Sequence, residues 1–477
     1  MSETLADEIV RRSSVSVEMP AGTGKTWTLA ACAQIIAANG ERTLILTHTN
    51  AGVYAIRAKL AATKTPHDQV HVSTITSFAF ELVRSYSTLA GVIVPETPDW
   101  DDSIKYLEGA CRVLENRHIQ HVIAASFTHL LVDEYQDCTH LHHRLILSIK
   151  SVIPKTAVFG DRLQGIFGFK EPLVDWATDV TANFSTLKAE IQPHRWRSHN
   201  QELGAWILDC RKLLVPGNQL DLSKDLPDGA SFVTGGPDGQ ALRWVAGKSR
   251  AKGETTVVIT ASANPDGARS VASKLRGYVV MEDIGGSFMS KQLQTLATLS
   301  ASQYAAWLAT FLKKCFVGYS GLDKPLIDKL RNGTSVVKLK RDKITATVTA
   351  LDSVRESPSL ISLGRAMRTI QRSKEARLYA EEAWQDTLAA IERCALDPSR
   401  TLVAELARVR DRLRYSGRTE RYQIVSRTLL IKGLEYDHVI IADLRTITDA
   451  CHLYVALSRA RKTLTIVGAS PQIVVTG

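Results

Sequence analysis

Residues Val132–Asp137 read Val-Asp-Glu-Tyr-Gln-Asp and follow the short run His129-Leu130-Leu131. Two adjacent carboxylates at the end of a buried strand suit nucleoside-triphosphate hydrolysis: one holds Mg²⁺ and the next polarises the attacking water. The other half of such a site stands upstream, where Ala21–Thr26 read Ala-Gly-Thr-Gly-Lys-Thr. This stretch follows Ser14–Met19, a short strand candidate, and precedes Trp27–Ala38, whose composition favours helix. Strand, glycine turn and helix in that order make a phosphate-binding loop. Gly22, Thr23 and Gly24 form the turn whose backbone N–H groups can close around phosphate oxygens. The helix N-terminus adds a favourable dipole. Lys25 is expected to reach the β/γ-phosphates and Thr26 to coordinate Mg²⁺. The strict pattern also asks for a glycine where Met19 stands. A glycine-rich turn before an ordinary helix is the alternative reading.

Such a site needs a sheet behind it. Arg42–Thr47, His71–Thr74, Leu130–Asp133 and Thr156–Phe159 are strand candidates, with Ala51–Ala62 a helix between the first two. Residues 79–125 are mostly helical in pattern, interrupted by Val94–Asp101. This alternation predicts an α/β fold, a mainly parallel sheet with helices on its faces. A second α/β block starts near residue 185, with strands at Ser231–Val233, Thr256–Thr260 and Tyr278–Met281. Long helix-compatible patterns follow at Lys291–Phe316, Leu360–Cys394 and Thr401–Leu413. Strand patterns return at Tyr422–Val425, Asp437–Ile441 and Thr463–Val467. The expected organisation is a first lobe over 1–185 with a short helical insertion at about 79–125, and a second lobe over 186–286 and 416–477. A helical insertion at 287–415 splits that second lobe.

The chain has 477 residues, room for roughly three domains at about 150 residues each. Its 44% apolar content supports a substantial core, and its net charge of +10 is compatible with a polyanionic partner. The seven cysteines are scattered without a Cys-x-x-Cys pair, which argues against a disulfide framework or zinc site and fits a reducing cytoplasm. No signal-peptide core and no run of about 18 apolar residues is present, so neither export nor a membrane partner is expected.

Further segments line up with the two halves of the site. They are Phe159–Phe169 (Phe-Gly-Asp-Arg-Leu-Gln-Gly-Ile-Phe-Gly-Phe), His194–Ser198 (His-Arg-Trp-Arg-Ser), Lys432–Tyr436 (Lys-Gly-Leu-Glu-Tyr) and Tyr454–Arg461 (Tyr-Val-Ala-Leu-Ser-Arg-Ala-Arg). Their order and spacing resemble the superfamily 1A helicases of the UvrD/Rep/PcrA group, from the phosphate loop to residue 468. The resemblance implies two RecA-like P-loop motor domains that use ATP and Mg²⁺. Within it, Asp133 resembles the Mg²⁺ ligand, Glu134 the general base and Gln164 the γ-phosphate-sensing glutamine. Arg197 and Arg459 resemble two arginines brought in from the second lobe, and such groups are worth about 10³–10⁵ in rate. Trp196 stands where the family stacks an aromatic residue on adenine; a core tryptophan is the alternative. Glu435 resembles a residue near the nucleotide sugar. The family's glutamine upstream of the phosphate loop is missing, since Met1–Met19 contain none, and Leu429 replaces its histidine before Lys432. Preference for ATP over GTP is therefore less secure than triphosphate use itself.

Positions facing nucleic acid also follow from the resemblance. Thr49 and Asn50 match a motif that contacts the strand backbone. Thr74 and Thr76 stand where the family has Thr-Phe-His, with the Phe and His lost. Phe167 and Phe169 stand where aromatics stack on bases, although core packing explains them equally well. Two basic stretches, Lys338–Lys343 and Arg408–Arg421, either grip phosphate or form solvated helical faces. The implied activity is ATP-driven movement on single-stranded or partly duplex DNA, 3′ to 5′ by family polarity. The compact size also resembles the helicase-like subunit of bacterial Gabija antiphage defence. The corresponding alternative is a DNA-gated ATPase that licenses a partner nuclease. A P-loop kinase or structural nucleotide-binding protein is disfavoured by the paired lobes, Gln164 and the Arg459 segment.

Overall fold

The computed structural model describes residues 4–95, 102–168, 171–236, 239–283, 285–337, 343–416 and 421–477. Phe169, Arg418 and most of the basic run at 338–343 lie outside the described residues.

The described residues fold around two parallel α/β sheets of six strands each, the arrangement of two RecA-like domains. The first contains β1 (Ser14–Glu18), β2 (Thr43–Thr47), β3 (Val70–Thr74), β4 (His129–Val132), β5 (Lys155–Gly160) and β6 (Ser185–Leu187), in the order β3-β2-β4-β5-β1-β6. Thr-Leu-Ile-Leu-Thr of β2 is buried at every position, as a strand covered on both faces must be. Side chains alternate between the two faces. Leu44, Leu46, Leu130, Val132 and Val158 feed one core, while Val15, Val17, Ile45, Leu131 and Phe159 feed the other. The helices α1 (Lys25–Ala38) and α2 (Asn50–Ala62) belong to the crossovers that parallel pairing requires. Strand β6 has no counterpart in the sequence patterns. Its residues are Ser-Thr-Leu with only Leu187 buried, so an edge strand of three residues carries no readable alternation.

The second sheet contains β7 (Ala230–Thr234), β8 (Thr256–Thr260), β9 (Val279–Val280), β10 (Gln423–Arg427), β11 (Tyr436–Ile441) and β12 (Ala460–Gly468). Its order is β9-β10-β8-β11-β12-β7, all parallel. The chain leaves the sheet after β9 and returns through β10, the strand beside it, so the helical insertion is carried on two adjacent strands. The insertion shares a core with this sheet: Trp307, Phe311 and Trp384 belong to the same apolar cluster as Val258, Val280, Val425 and Ile440.

Two sequence patterns are interrupted. The Leu360–Cys394 run divides into helices Leu360–Ser373 and Glu381–Leu396. Lys374 turns to φ 55°, and the Glu375 carboxylate instead accepts N–H bonds from Ala346 (2.8 Å) and Thr347 (2.9 Å), capping another helix. The Lys291–Phe316 run breaks between helices Ser287–Thr298 and Tyr304–Cys315. Several arginines of the second basic stretch are spent internally. Arg408 pairs with Glu405, and Arg421 with Glu381 at 2.8 Å. Buried Arg410 donates to Glu382, Asp386 and the Asp283 carbonyl. These residues tie the insertion together rather than offering free charge to phosphate.

Candidate active site

All strands of a parallel sheet point one way, so the loops after β1, β4 and β5 emerge along one edge. Register sets Glu18 beside Gly160 and Val132 beside Val158. That row brings together the glycine turn, Asp133 and Asp161.

In the turn, Gly22 (φ +74°) and Gly24 (φ +94°) hold the left-handed conformation that side chains disfavour. A Cβ on Gly22 would also lie 2.7 Å from the Trp196 ring. The Ala21 N–H donates to Asp161 Oδ2 (3.0 Å) and the Tyr454 hydroxyl (3.1 Å), while Thr23 Oγ1 donates to the Pro20 carbonyl (2.7 Å). Lys25 opens α1, with Thr26 half-buried after it. The buried Lys25 Nζ lies 3.0 Å from Glu134 Oε1 and 3.8 Å from Asp133 Oδ1. Burial works against its charge, but Glu134, Asp133 and Asp161 more than offset this and hold the ammonium above its ordinary pKa.

Glu134 has φ 55°, a strained position for a non-glycine residue, and its N–H donates to Asp133 Oδ1 at 2.9 Å. Gln136 Nε2 donates to Glu134 Oε2, and its Oε1 accepts the Asp161 N–H (2.9 Å), so Gln136 joins the strand ends. Burial raises the Asp133 carboxyl against the pull of Lys25. Glu134 is half-buried, which works against its charge, but Lys25 and Lys432 hold it well below the usual carboxylate range. Two neighbouring carboxylates driven apart in pKa can take different roles. The oxygen donors Asp133 and Thr26 fit a hard divalent cation, and the acidic pair already stabilises one positive charge, that of Lys25.

The second lobe closes over this edge. Arg459, 1% exposed, donates through Nη2 to Gln164 Oε1 (3.0 Å) and through Nε to the Val455 carbonyl (2.9 Å). Burial and nearby Arg195 lower its pKa to about 10. Lys432 donates to Asp137 Oδ2 and the Gln164 carbonyl and lies 4.0 Å from Glu134 Oε2. Burial pushes the Asp137 carboxyl up to about 6, even beside Lys432. Both residues stand inside motifs quoted from the sequence, which alone assigns neither a role in the site.

Two expected residues are placed differently. Trp196 is fully buried beneath Gly22, and its indole N–H donates to the Ala460 carbonyl at 2.6 Å. It is a core residue here, with no face open to a base. Arg197 is exposed and donates to Gln192 Oε1 at 2.9 Å. Its neighbour Arg195 instead faces the lobe boundary, donating to the Ser458 carbonyl and pairing with Glu435 at 2.9 Å. The Arg195 N–H meets the Gly22 carbonyl at 2.9 Å.

Of the expected nucleic-acid residues, Thr49 caps α2 through the Gly52 N–H (3.0 Å) and remains exposed, with Asn50 half-buried next to it. Thr74 is corrected: it is buried, and its hydroxyl is spent on the Ser77 N–H (3.0 Å) and Ser77 Oγ (2.7 Å). Thr76 is half-buried on the following turn. Phe167 is half-buried, with Lys432 Nζ 5.0 Å from its ring centroid.

The family model for the UvrD/REP helicase N-terminal domain matches residues 5–102 and 92–184, the stretch that carries the glycine turn, the acidic strand end and Gln164. The structure of Pif1 helicase from Candida albicans aligns over 97% of this chain and 93% of that one, with 13% identity and a TM-score of 0.39. No curated protein matches. Among the described residues, no helix is long and apolar enough to cross a membrane.

Proposed function

We propose that this chain, a UvrD-like superfamily 1 protein by its matched first lobe, is an ATP-dependent DNA helicase or translocase. The observation that carries the proposal is the meeting of Arg459 and Lys432 from one lobe with Gln164, Asp137 and Glu134 from the other. A nucleotide between the lobes would be sensed by both, so hydrolysis could change their separation.

Each side chain then has a physical task. Lys25, held charged, neutralises β/γ-phosphate oxygens, which draws it away from Glu134. Glu134, charged at neutral pH, is released to orient water and accept its proton. Thr26 and Asp133 would hold Mg²⁺, which spreads the charge of the transferred group. Arg459 supplies positive charge from the second lobe, while Gln164 links it to the first. Movement on single-stranded DNA, with 3′-to-5′ polarity, follows from the family resemblance.

The test is ATP hydrolysis by the purified chain, alone and with single-stranded DNA, beside Glu134→Gln. Tailed duplexes of both polarities then report unwinding. DNA-stimulated turnover lost in the variant, with unwinding from a 3′ tail, supports the proposal. Stimulated turnover without strand separation favours a gated ATPase acting on a partner such as a nuclease. No turnover under any condition overturns the motor assignment.

A further inference from the structure

Asp161 ends up deep in the lobe boundary with no solvent exposure. Its Oδ2 accepts from the Ala21 N–H (3.0 Å) and from Gln164 Nε2 (2.8 Å). Its Oδ1 accepts from the Leu163 N–H (3.3 Å) and from Arg211 Nη1. One carboxylate therefore orients both a backbone donor of the glycine turn and the amide of Gln164. A buried carboxylate does this only while its charge is compensated. Among its four hydrogen-bond donors, Arg211 alone carries a full charge.

Arg211 belongs to the last turn of α3 (Gln201–Leu213), a helix of the second lobe outside every recognised motif. Its Nη2 reaches Glu18 Oε1 at the end of β1 (2.7 Å), and its guanidinium lies 5.1 Å from the Tyr454 ring centroid. Tyr454 returns to the Ala21 N–H at 3.1 Å, which closes a circuit through both lobes. Burial works against the Arg211 charge, but Asp161, Tyr454 and Glu18 more than offset this.

We infer that Arg211 is a positioning residue: through Asp161 it sets the orientation of Gln164 and of the glycine turn, making hydrolysis depend on docking of α3. With Nε2 held by Asp161, Gln164 presents Oε1 to Arg459. Without Arg211, Asp161 is a buried charge lacking its hydrogen-bonded counter-ion, and the amide loses its fixed partner. Lys25 and the turn's glycines are not removed, so the loss falls on kcat more than on KM for ATP. The inference rests on the ATPase reading above.

The experiment compares kcat and KM for DNA-stimulated ATP hydrolysis in the parent, Arg211→Ala, Arg211→Lys, Asp161→Asn and the Ala/Asn double variant, each normalised to nucleotide-binding sites. Arg211→Ala should lower kcat by about 10- to 100-fold, as misplaced reacting groups do, with KM within about threefold. Lys should restore part of the loss. The double variant should be no slower than the slower single one, because both changes break one circuit. If Arg211→Ala does not fold, Arg211→Gln carries the same comparison. A kcat within about twofold of the parent, or fully additive losses, overturns the inference while the ATPase reading stands. An inactive parent removes the ATPase reading, and the inference falls with it.

Discussion

Arg459 Nη2 of the second lobe lies 3.0 Å from Gln164 Oε1 of the first, and both side chains are buried. A bond of this kind exists only while the lobes are together. It links the positive charge needed in phosphoryl transfer to closure of the cleft. Arg459→Ala should therefore lower kcat by about 10³-fold or more while nucleotide still binds. Arg459→Lys should rescue little, because a lysine cannot make the guanidinium's divergent contacts to Gln164 and Val455. Stopped-flow phosphate release set beside fluorescent-nucleotide affinity separates the two effects. Equal loss of binding and turnover would assign Arg459 to nucleotide retention instead.

Glu134 is kept ionised by Lys25 and Lys432 although it is half-buried. Replacement by Gln removes the proton acceptor but preserves shape, so kcat should fall by about 10²–10⁴-fold. Lys25→Ala should abolish turnover as well, through lost phosphate binding. Single-turnover hydrolysis measures both. Undiminished DNA-stimulated turnover in either variant sinks the site assignment.

Trp196 offers a different signature. Its ring fills the space beneath Gly22 and beside Gly204, and its N–H is satisfied by Ala460. Trp196→Ala should cost about 3–5 kcal/mol of stability, as large-to-small core replacements do. Urea unfolding measures this. An unchanged midpoint with a greatly raised KM for ATP would return Trp196 to the base-stacking role.

Asp137 gives a pH dependence of definite sign. Its carboxyl stands at about 6 in the folded chain against an ordinary 3.8. Between these values the folded chain keeps a proton that the unfolded chain has released. Its contribution to stability is therefore fullest below about pH 4 and is lost as pH rises through about 6. A shift of this size corresponds to about 3 kcal/mol. The Lys432 ammonium favours the charged carboxylate and offsets part of this cost, which comes from burial. Parent and Asp137→Asn unfolding free energies should diverge from pH 4 to 7, the parent weakening relative to the variant. A flat difference refutes the shift.

The glycine turn is readable from sequence because backbone geometry dictates glycine at Gly22 and Gly24, and the paired carboxylates because they end an apolar strand. Chain order alone tells much less about which way a side chain faces. An aromatic residue at position 196 reads the same whether it meets a base or packs under the turn. Arg195 and Arg197 are equally arginine, and only the turn through residues 194–196 decides which lies against the glycine turn. Arg211 looks like an ordinary basic residue complementing a helix C-terminus. Its importance comes from contacts made across the lobes, between residues separated by 50 and 193 positions.

Phe167 stands at the point where nucleotide chemistry and a nucleic-acid strand would meet. Lys432, bonded to Asp137 and the Gln164 carbonyl, lies 5.0 Å from its ring centroid, within cation–π range. A base stacked on Phe167 would thus sit one side chain away from the site. Phe167→Ala should weaken single-stranded DNA binding by about 1–3 kcal/mol, with little dependence on base sequence because every base has a π-face. Phe167→Leu decides between stacking and packing, since it keeps an apolar side chain but removes the ring. Under stacking, Leu behaves like Ala in fluorescence-anisotropy titrations with mixed-sequence and homopolymer strands. Wild-type affinity in the Leu variant assigns the ring to packing beside Lys432 and removes it from the DNA face.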